Sequence, residues 1–347
     1  MTTPIFHVTP DEKSELIARI ESLPWWLFDR IPQGFAGRVY ARQISDSHPE
    51  YSKDPRAWSD EVVLTLLAQY PIDAIGDLLI GDEDLKRYQK GTTASSSVSM
   101  CDLPALAEQS KEICHTLISG EQPKFCCDLI SQGPCIVKFA ETERQADLLI
   151  AEHIALSVLN KAGIPASHSV LARFDKYQFL VNRRFDCVGR SGRRGIISLK
   201  SLDLEFVGSR DQRWPSIADK LVEQHIIAES GLNTIRLLFC FGKLIANSDM
   251  HSGNLSFFND GIIPFVLTPV YDMLPMAYAN MDKPPASLVS IDADLPDSIW
   301  NEARDLALRF WHRLSEQDDL SDSFRRVSLE MHDYLYTSVC KFDIGEV

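Results

Sequence analysis

The hydrophobic pattern of the chain changes near residue 186, and this change limits the folds that are open to it. Two apolar runs, Phe125–Leu129 and Cys135–Phe139, predict strands joined by a turn near Ser131–Pro134. The later segment SVLARFDKYQFLVNRRFD predicts a hairpin that turns at Asp175–Lys176. Beyond residue 186 the apolar spacing is mainly helical.

A helix is predicted between the two strand pairs. Thr142–Gln145 has the form of a capping box, and Gly163 is a suitable helix stop. The apolar stripe of this helix consists of Ile150, Ile154, Val158 and Leu159. Later helices are predicted in PSIADKLVEQHI, in NTIRLLFCFGKLIA with Asn233 as its cap, and near 297–313 and 320–340. The fold class is therefore α+β, with a small antiparallel sheet and one helix followed by a larger helical lobe.

Bulk properties exclude several classes of protein. The 347 residues suffice for two domains or lobes, and 45% hydrophobic with 24% charged residues is typical of soluble globular proteins. No apolar run reaches the roughly 18 residues that span a bilayer, and the N-terminus lacks a signal-peptide pattern, so we expect a cytoplasmic protein without a membrane partner. Eight scattered cysteines predict reduced thiols, and a net charge of −14 argues against global attraction to nucleic acid.

Three polar side chains that can bind metal ions or phosphates cluster after an apolar run in IANSDMHSGNLSFF. Asp249, His251 and Asn254 lie there, and Asp272 follows in LTPVYDMLP after a predicted hairpin around the turn 259–261. Carboxylate and amide oxygens are ligands that suit Mg²⁺ when phosphates complete its shell. Asp249 and Asn254 could instead cap a helix end, and His251 could hold the loop or touch phosphates.

Two further residues fit phosphoryl transfer from ATP, which requires groups that position phosphates rather than covalent catalysis. Lys138, in the strand CIVKFA, can neutralise phosphates, although a strand lysine can also simply extend to solvent. Glu152, on the next helix among apolar residues, can hold that lysine or can be a surface residue.

At these residues the sequence resembles the HipA-type serine/threonine kinases, bacterial toxin kinases with a two-lobed protein-kinase-like fold, and most of all their YjjJ branch. GEQPKF, IVKF, NRRFD, ANSDMHSGNLSF and LTPVYDMLP carry the resemblance, in the family's order. The resemblance implies an N-terminal HipA-like subdomain over 1–90, a kinase N-lobe over 114–186 and a helical C-lobe over 187–347. Between the first two, the small polar stretch GTTASSSVSM has no hydrophobic period and predicts a linker or mobile loop over 91–113.

The resemblance also implies roles for individual residues. Asp249 would be the catalytic base, Asn254 and Asp272 would bind Mg²⁺, and Lys138 would contact ATP. The remaining nucleotide-binding positions would be the loop residues Ser119, Gly120, Glu121, Gln122 and Lys124, the hinge residues Arg183 and Phe185, and Glu152 and His251.

Regulation and partners are implied in the same way. Family members phosphorylate themselves on a serine near this loop, but Leu117 occupies the usual position here, so Ser119 and Thr116 are the candidates. The expected partners are a protein substrate, for which the family points to an aminoacyl-tRNA synthetase, and a small DNA-binding antitoxin through which any DNA contact is indirect. YjjJ-type proteins carry a winged-helix segment, and we expect this chain to begin after it.

Three alternatives remain open from the sequence. A small-molecule phosphotransferase would use the same acidic residues. A metal-dependent nuclease toxin would bind its ion through Asp249, His251 and Asp272 and bind DNA through Arg190, Arg193 and Arg194, a cluster that otherwise reads as a solvated turn. A catalytically weak regulator would bind an antitoxin or DNA. No Walker P-loop text or G-x-G-x-x-G occurs.

Overall fold

The structure is a computed structural model that describes residues 3–7, 15–20, 23–89, 97–189, 192–280, 288–289 and 294–337. The predicted linker residues 91–96 and Arg190 lie outside these ranges. The helices are α1 (Gly34–Ser47), α2 (Asp60–Gln69), α3 (Gly81–Gln89), α4 (Leu103–Ser110), α5 (Glu143–Lys161), α6 (Leu199–Leu202), α7 (Trp214–Glu223), α8 (Leu232–Leu244), α9 (Asp297–Ser315) and α10 (Asp322–Thr337). The strands are β1 (Thr3–His7), β2 (Glu15–Ile20), β3 (Asp73–Ala74), β4 (Thr116–Leu117), β5 (Lys124–Leu129), β6 (Gly133–Ala140), β7 (Ser169–Phe174), β8 (Tyr177–Arg183), β9 (Cys187–Val188), β10 (Gly192–Arg193), β11 (Ile196–Ser198), β12 (Ser256–Phe258) and β13 (Val266–Leu267).

The N-terminal part consists of the β1–β2 hairpin, a 3₁₀ turn at Trp25–Arg30 and helices α1 to α3. Helices α1 and α2 bury a core of their own that includes Tyr40 and Leu66. This core also takes in Leu117 of β4, and β4 pairs in parallel with β3. The N-terminal part is therefore joined by packing and by strand pairing to the segment that leads into the small lobe.

The small lobe is a four-stranded antiparallel sheet in the order β5-β6-β8-β7. Helix α4 covers one face, where its buried Leu103 and Ala107 share a core with Val137 and Phe139. Helix α5 lies on the other face, against Leu180 and Ala140. The predicted strand–strand–helix–strand–strand order is confirmed, but α4 occupies part of the 91–113 range that was predicted as a linker.

The large lobe contains α6 to α10 and a three-stranded sheet in the order β11-β12-β13. Helices α7, α8, α9 and α10 pack in sequence, and α5 packs on α9 as well as on the small sheet. The core of this lobe is the most extensive in the molecule and includes Trp214, Phe241, Phe310 and Trp311. The half-buried Trp25 and Trp26 of the N-terminal part also pack against it.

Two local predictions about helix starts are wrong in detail. Helix α5 begins after Thr142 as predicted, but the Thr142 side chain forms no capping bond to the backbone; its hydroxyl contacts the Gln145 side chain instead. Helix α8 begins at Leu232, directly after a 3₁₀ turn at Glu229–Gly231, so Asn233 lies inside the helix and does not cap it. The predicted stop is confirmed, because Gly163 has a φ of +82° and follows the last turn of α5.

Candidate active site

Strand β6 brings Lys138 to the face of the small sheet that α5 covers. Successive side chains of a strand point to opposite faces, so Val137 and Phe139 enter the α4 core while Lys138 points the other way. The Lys138 Nζ donates to Glu152 Oε1 and Oε2 of α5, at 2.8 and 2.7 Å, and also to Asp272 Oδ1. One ammonium group therefore joins the sheet, α5 and the segment after β13.

Lys138 and Asp272 are charged although the cluster is largely buried, whereas burial raises the pKa of Glu152. Lys138 is 7% exposed and Glu152 is fully buried. Burial alone would lower the pKa of Lys138, but the carboxylates of Asp272 and Glu152 outweigh it and raise that pKa above its usual range. Burial would likewise raise the pKa of Asp272, but Lys138 and Lys124 lower it to about 2. Lys138 and Asp272 are thus an ammonium and a carboxylate at neutral pH.

Asp272 is held by its backbone as well. Its amide donates to Glu152 Oε1 at 3.2 Å, and its φ is +57°, in the left-handed region that residues other than glycine rarely adopt. The preceding residue, Tyr271, contacts the hydroxyl of Ser256 at 2.6 Å and donates to the carbonyl of Gly253 at 3.2 Å. These bonds join the Asp272 segment to the loop that carries Asp249.

That loop leaves α8 and is fixed by polar contacts along its length. The Asp249 amide donates to Asn247 Oδ1 at 3.0 Å, and Asn254 Nδ2 donates to the Asp249 carbonyl at 2.9 Å. His251 accepts from the Gly253 amide through Nδ1 at 3.1 Å, and its carbonyl accepts from Trp214 Nε1 at 3.1 Å. With Nδ2 bonded to Asp249, the Oδ1 of Asn254 is the atom of its side chain that suits a metal ion.

The Asp249 carboxylate is 55% exposed and belongs to the same electrostatic environment as Asp272. Partial burial and the negative charge of Asp272 raise the pKa of Asp249, while His251 opposes the rise. His251 Nε2 lies 3.9 Å from Asp249 Oδ1. A raised pKa in a carboxylate that is open to solvent suits a group that accepts a proton from a substrate.

The predicted phosphate-binding loop, residues 119–124, runs into β5 beside this cluster. Lys124 is buried, lies opposite Lys138 in the β5–β6 register and donates to the Ser119 carbonyl at 2.7 Å. Burial and the charge of Lys138 lower its pKa to about 8. Gln122 Nε2 donates to the Phe139 carbonyl at 2.6 Å, while Glu121 is exposed and pairs with Arg38 at 2.7 Å. The loop thus carries one ammonium group that adjoins Lys138.

In the predicted hinge, the backbone amide and carbonyl of Arg183 both have partners within the fold. The side chain of Arg183 is exposed, and its backbone contacts Ser167–His168: its amide donates to the His168 carbonyl and its carbonyl accepts from Ser167 Oγ at 3.4 Å. Phe185 is half-buried between the rings of Phe258 and Tyr271, each with its centroid 6.1 Å away. Phe185 is therefore an apolar residue that packs beside Tyr271, the neighbour of Asp272.

Arg184 and Asp186 on the same segment were not predicted from the sequence. Arg184 is buried and donates to Asp186 Oδ1 and Oδ2, to Asp73 Oδ2 at 2.7 Å and to the Ala74 carbonyl. Asp186 also accepts from the Gly76 amide at 3.0 Å. Both residues lie beyond the end of β8, and their partners Asp73 and Gly76 are distant along the chain, so no local pattern in the sequence identifies this pair.

A groove of about 390 Å³ is lined in part by Asp249 and its neighbours in the loop. The cations of Arg213 and Lys243 lie over the ring of Phe239 in its wall, 5.5 and 5.4 Å from the ring centroid. Arg213 also pairs with Asp294 at 2.9 Å. Asp249 is one of the residues that line the groove, so a chain bound there would lie beside this carboxylate.

The structure therefore brings most of the predicted site residues together. Contacts directly join Lys138, Glu152 and Asp272, and a second set joins Asp249, His251 and Asn254. Ser119 is exposed at the loop, but Thr116 is buried in β4. Of the arginine cluster, Arg193 lies 3.7 Å from Asp73, and Arg194 pairs with Asp260 and covers the Phe258 ring.

These residues fit a magnesium–nucleotide group on chemical grounds. The Asp272 carboxylate and the Asn254 amide oxygen are hard ligands of the kind that Mg²⁺ takes, leaving positions for phosphate oxygens and water. Two buried ammonium groups, on Lys124 and Lys138, match the negative charge of phosphates.

Comparison with known proteins gives a consistent result. Residues 116–333 match the HipA-like C-terminal domain, and residues 4–89 match the middle domain of YjjJ-like toxins. The chain is 36% identical to Toxin YjjJ of Escherichia coli (strain K12), over 90% of this chain and 74% of that protein.

Solved structures show weaker similarity. The HipA chain of a Shewanella oneidensis MR-1 complex of HipA, HipB and operator DNA is 18% identical with a TM-score of 0.46, over 66% of this chain and 67% of that one. The Helicobacter pylori proinflammatory kinase CtkA is 16% identical with a TM-score of 0.45, over 63% and 92%. No helix among the described residues is long and apolar enough to cross a membrane. On its sequence matches, the chain belongs to the HipA-like family, in the branch of the YjjJ-like toxins.

Proposed function

We propose that the protein is an ATP- and Mg²⁺-dependent kinase that phosphorylates a serine or threonine of another protein. The observation that supports this most directly is the position of the Lys138 ammonium. Glu152 holds it from α5, and it contacts Asp272, whose neighbour Tyr271 is bonded to the Asp249 loop. We infer from this arrangement that a phosphate contact, a metal ligand and a base border one cleft between the small and large lobes.

Each residue has a distinct part in the proposed reaction. Lys138 and Lys124 bind phosphate oxygens, and Asn254 and Asp272 bind the metal through side-chain oxygens. Asp249 orients the hydroxyl of the substrate and accepts its proton, which its exposure to the groove and its raised pKa favour. Magnesium-bound ATP supplies the transferable phosphoryl group. Phe185 offers an apolar surface to the adenine ring of ATP.

We also propose that the protein acts as the toxin of a toxin–antitoxin pair. The support is its family membership and its similarity to a protein named Toxin YjjJ. The HipA-type resemblance makes an aminoacyl-tRNA synthetase the first target to test. The same resemblance suggests a small DNA-binding antitoxin as inhibitor, with DNA contacted through that partner.

Self-phosphorylation is proposed at Ser119 rather than at Thr116. Ser119 is exposed at the start of the loop, and its carbonyl accepts from Lys124. Thr116 is 7% exposed within β4, so its hydroxyl could not receive a phosphoryl group without separation of that strand. A phosphate on Ser119 would add about −1.5 to −2 charges beside the loop and would repel ATP.

The nuclease alternative has less support. It requires Asp249, His251 and Asp272 to share one metal ion, but Nδ1 of His251 already accepts from the Gly253 amide, which leaves only Nε2 of that ring for an ion. It also requires a basic surface for DNA. Arg193 and Arg194 instead have acidic partners within the fold, in Asp73 and Asp260.

The test is phosphate transfer from labelled ATP into proteins of a cell lysate, with mapping of the phosphorylated residues. Asp249→Asn should reduce labelling by a factor of about 10² to 10⁴, because the substrate hydroxyl loses its base. Asp260→Asn is the matched control, since it makes the same chemical change at a surface ion pair with Arg194. Equal labelling by wild type and Asp249→Asn would remove Asp249 from its assigned role. Plasmid cleavage without ATP would revive the nuclease.

A further inference from the structure

The loop over residues 119–124 is held from outside the small lobe, by the first turn of α1. The amide of Phe35 donates to the carbonyl of Gly120 at 3.0 Å. The ring of Phe35 also meets the ring of Phe139 edge to face, with centroids 6.5 Å apart. Phe139 in turn accepts from Gln122 through its carbonyl. The N-terminal part therefore touches the tip of the loop and the strand beneath it.

The approach of the two backbones depends on glycine. Gly34 has a φ of +63°, and a Cβ at this position would lie 2.3 Å from the oxygen and 2.9 Å from the nitrogen of Gly120. Gly120 itself has a φ of +98°, and a Cβ there would lie 2.5 Å from Lys124 Nζ. Any side chain at residue 34 must therefore displace loop backbone, which has little freedom to yield.

The helix that holds the loop is itself fastened to the large lobe. Asp29, in the 3₁₀ turn before α1, accepts from the amide and the hydroxyl of Ser198, at 2.8 and 2.6 Å. Trp25 of the same turn packs against Phe206 with centroids 5.3 Å apart. Only residues 31–33 separate this turn from Gly34. The position of the loop relative to the large lobe is thus set through this short connection.

We propose that Gly34 and the Phe35 amide are positioning residues, which hold the 119–124 loop at the height over the cleft where it meets nucleotide phosphates. The inference rests on the proposed function for its purpose, but the contact itself is a property of the free protein. It gives the N-terminal part a role in nucleotide affinity although it contributes no group to the reaction.

The first test compares two glycine variants. Gly34→Ala imposes the backbone clash, whereas Gly261→Ala is a matched control with a φ of +77° and nothing within 4 Å of the added carbon. Two quantities are measured on the full chain: hydrogen exchange of the 117–124 segment without nucleotide, and binding of a non-hydrolysable ATP analogue with Mg²⁺. Gly34→Ala should speed exchange in that segment and weaken binding at least about tenfold, while Gly261→Ala should stay within about twofold of wild type.

A second pair isolates the amide and serves if Gly34→Ala does not fold. Phe35→Pro and Phe35→Leu both remove the aromatic ring, but only proline removes the N–H, and proline is tolerated in the first turn of a helix. Loop exchange and nucleotide dissociation constant should therefore rise more in Phe35→Pro. Equal behaviour of the two variants would overturn the proposal.

The two proposals fail in distinguishable ways. If wild type binds no nucleotide, the kinase proposal is wrong, and hydrogen exchange still decides whether α1 holds the loop. If exchange in the loop is unchanged by Gly34→Ala, or changes equally in Gly261→Ala, α1 does not hold it. If exchange rises in Gly34→Ala while nucleotide affinity stays the same, the contact exists but has no positioning role.

Discussion

At the scale of single residues, the site contrasts two buried lysines. Lys138 contacts two carboxylates, which keep it charged. Lys124, opposite it in the sheet, donates to the Ser119 carbonyl, and Lys138 repels its charge. Asp272, Glu152 and Glu121 oppose that repulsion, yet burial dominates and the pKa of Lys124 falls to about 8. Lys124, the second of the two proposed phosphate contacts, is therefore the one that titrates near physiological pH.

This difference predicts a pH dependence of nucleotide binding. Phosphates attract the charged form of Lys124, and the free protein loses that form as pH rises through about 8. Affinity for magnesium–ATP should therefore be constant from about pH 7 to 7.5 and fall roughly tenfold by about pH 9. Titration calorimetry at fixed free Mg²⁺ measures it. Lys124→Arg keeps its charge over this range and should give a flat profile; the same decline in that variant would assign the titration to another group.

Sequence spacing predicted the residues whose partners follow from local pattern or from the family motifs. Lys138, Glu152, Asp249, Asn254 and Asp272 were all identified in this way. In the structure Lys138 bonds to Glu152 and Asp272, Asn254 bonds to Asp249, and the charge of Asp272 acts on Asp249. Their catalytic and metal-binding roles stay predictions.

Arg184 could not be predicted in the same way. Its partner Asp73 is 111 positions away along the chain, and no local pattern specifies a pairing at that separation. The role of Gly34 was not predicted for a similar reason, because its contact with Gly120 depends on how α1 packs against another part of the molecule. Long-range contacts of this kind follow from tertiary packing and not from periodicity.

At the scale of elements, the segment after β8 joins three parts of the protein. Arg184 bonds to Asp73 and Ala74 of β3 in the N-terminal part, and Asp186 accepts from the Gly76 amide shortly after that strand. The Asp186 carbonyl accepts from the Arg194 amide, which leads into β11 of the large lobe. Both side chains of the Arg184–Asp186 ion pair are 2% exposed. A buried pair of this kind is sensitive to the removal of one partner, because the remaining charge is left in a poorly solvating interior.

We therefore expect Arg184→Met to be costly. The free energy of unfolding should fall by about 3 to 5 kcal/mol, as measured by urea denaturation. The double variant Arg184→Met/Asp186→Leu removes both charges and should lose less than the single variant. If the double variant is the less stable of the two, the pair contributes attraction beyond the cost of burial, and the stated reason is incorrect.

The order of elements was more predictable than their ends. Both hairpins of the small lobe and helices α5, α9 and α10 follow the predicted ranges within a few residues. The start of α8 was misjudged because a 3₁₀ turn at Glu229–Gly231 leads directly into the helix, so that no capping side chain is used. Helix α4 was not predicted because the polar segment before residue 100 suggested a linker that continued beyond it.

At the scale of the whole molecule, the N-terminal part and α5 both connect the two lobes. Helix α5 packs on the small sheet and on α9, and it carries Glu152 at the junction. The N-terminal part contacts the loop through Phe35 and the large lobe through Asp29. A ligand in the cleft therefore contacts a structure whose parts are already joined on two sides.

Binding in that cleft should stabilise the entire chain. At a concentration about 100 times the dissociation constant, magnesium–ATP should add about 2.7 kcal/mol to the free energy of unfolding, which corresponds to a rise of several degrees in Tm. Thermal unfolding with and without EDTA measures how much of this stabilisation depends on Mg²⁺. Asp272→Asn should lose that part. A Tm that responds to Mg²⁺ equally in this variant would place the ion elsewhere.

The bond between Lys138 and Asp272 has one more consequence. In the free protein the Lys138 ammonium and the Asp272 carboxylate neutralise each other. A nucleotide that binds without Mg²⁺ therefore meets a lysine whose charge is already balanced. Mg²⁺ that binds without nucleotide must compete with that lysine for the carboxylate. Arriving together, the two release both groups to new partners at once. Nucleotide and metal should therefore bind with positive cooperativity, each raising the affinity for the other by the same factor.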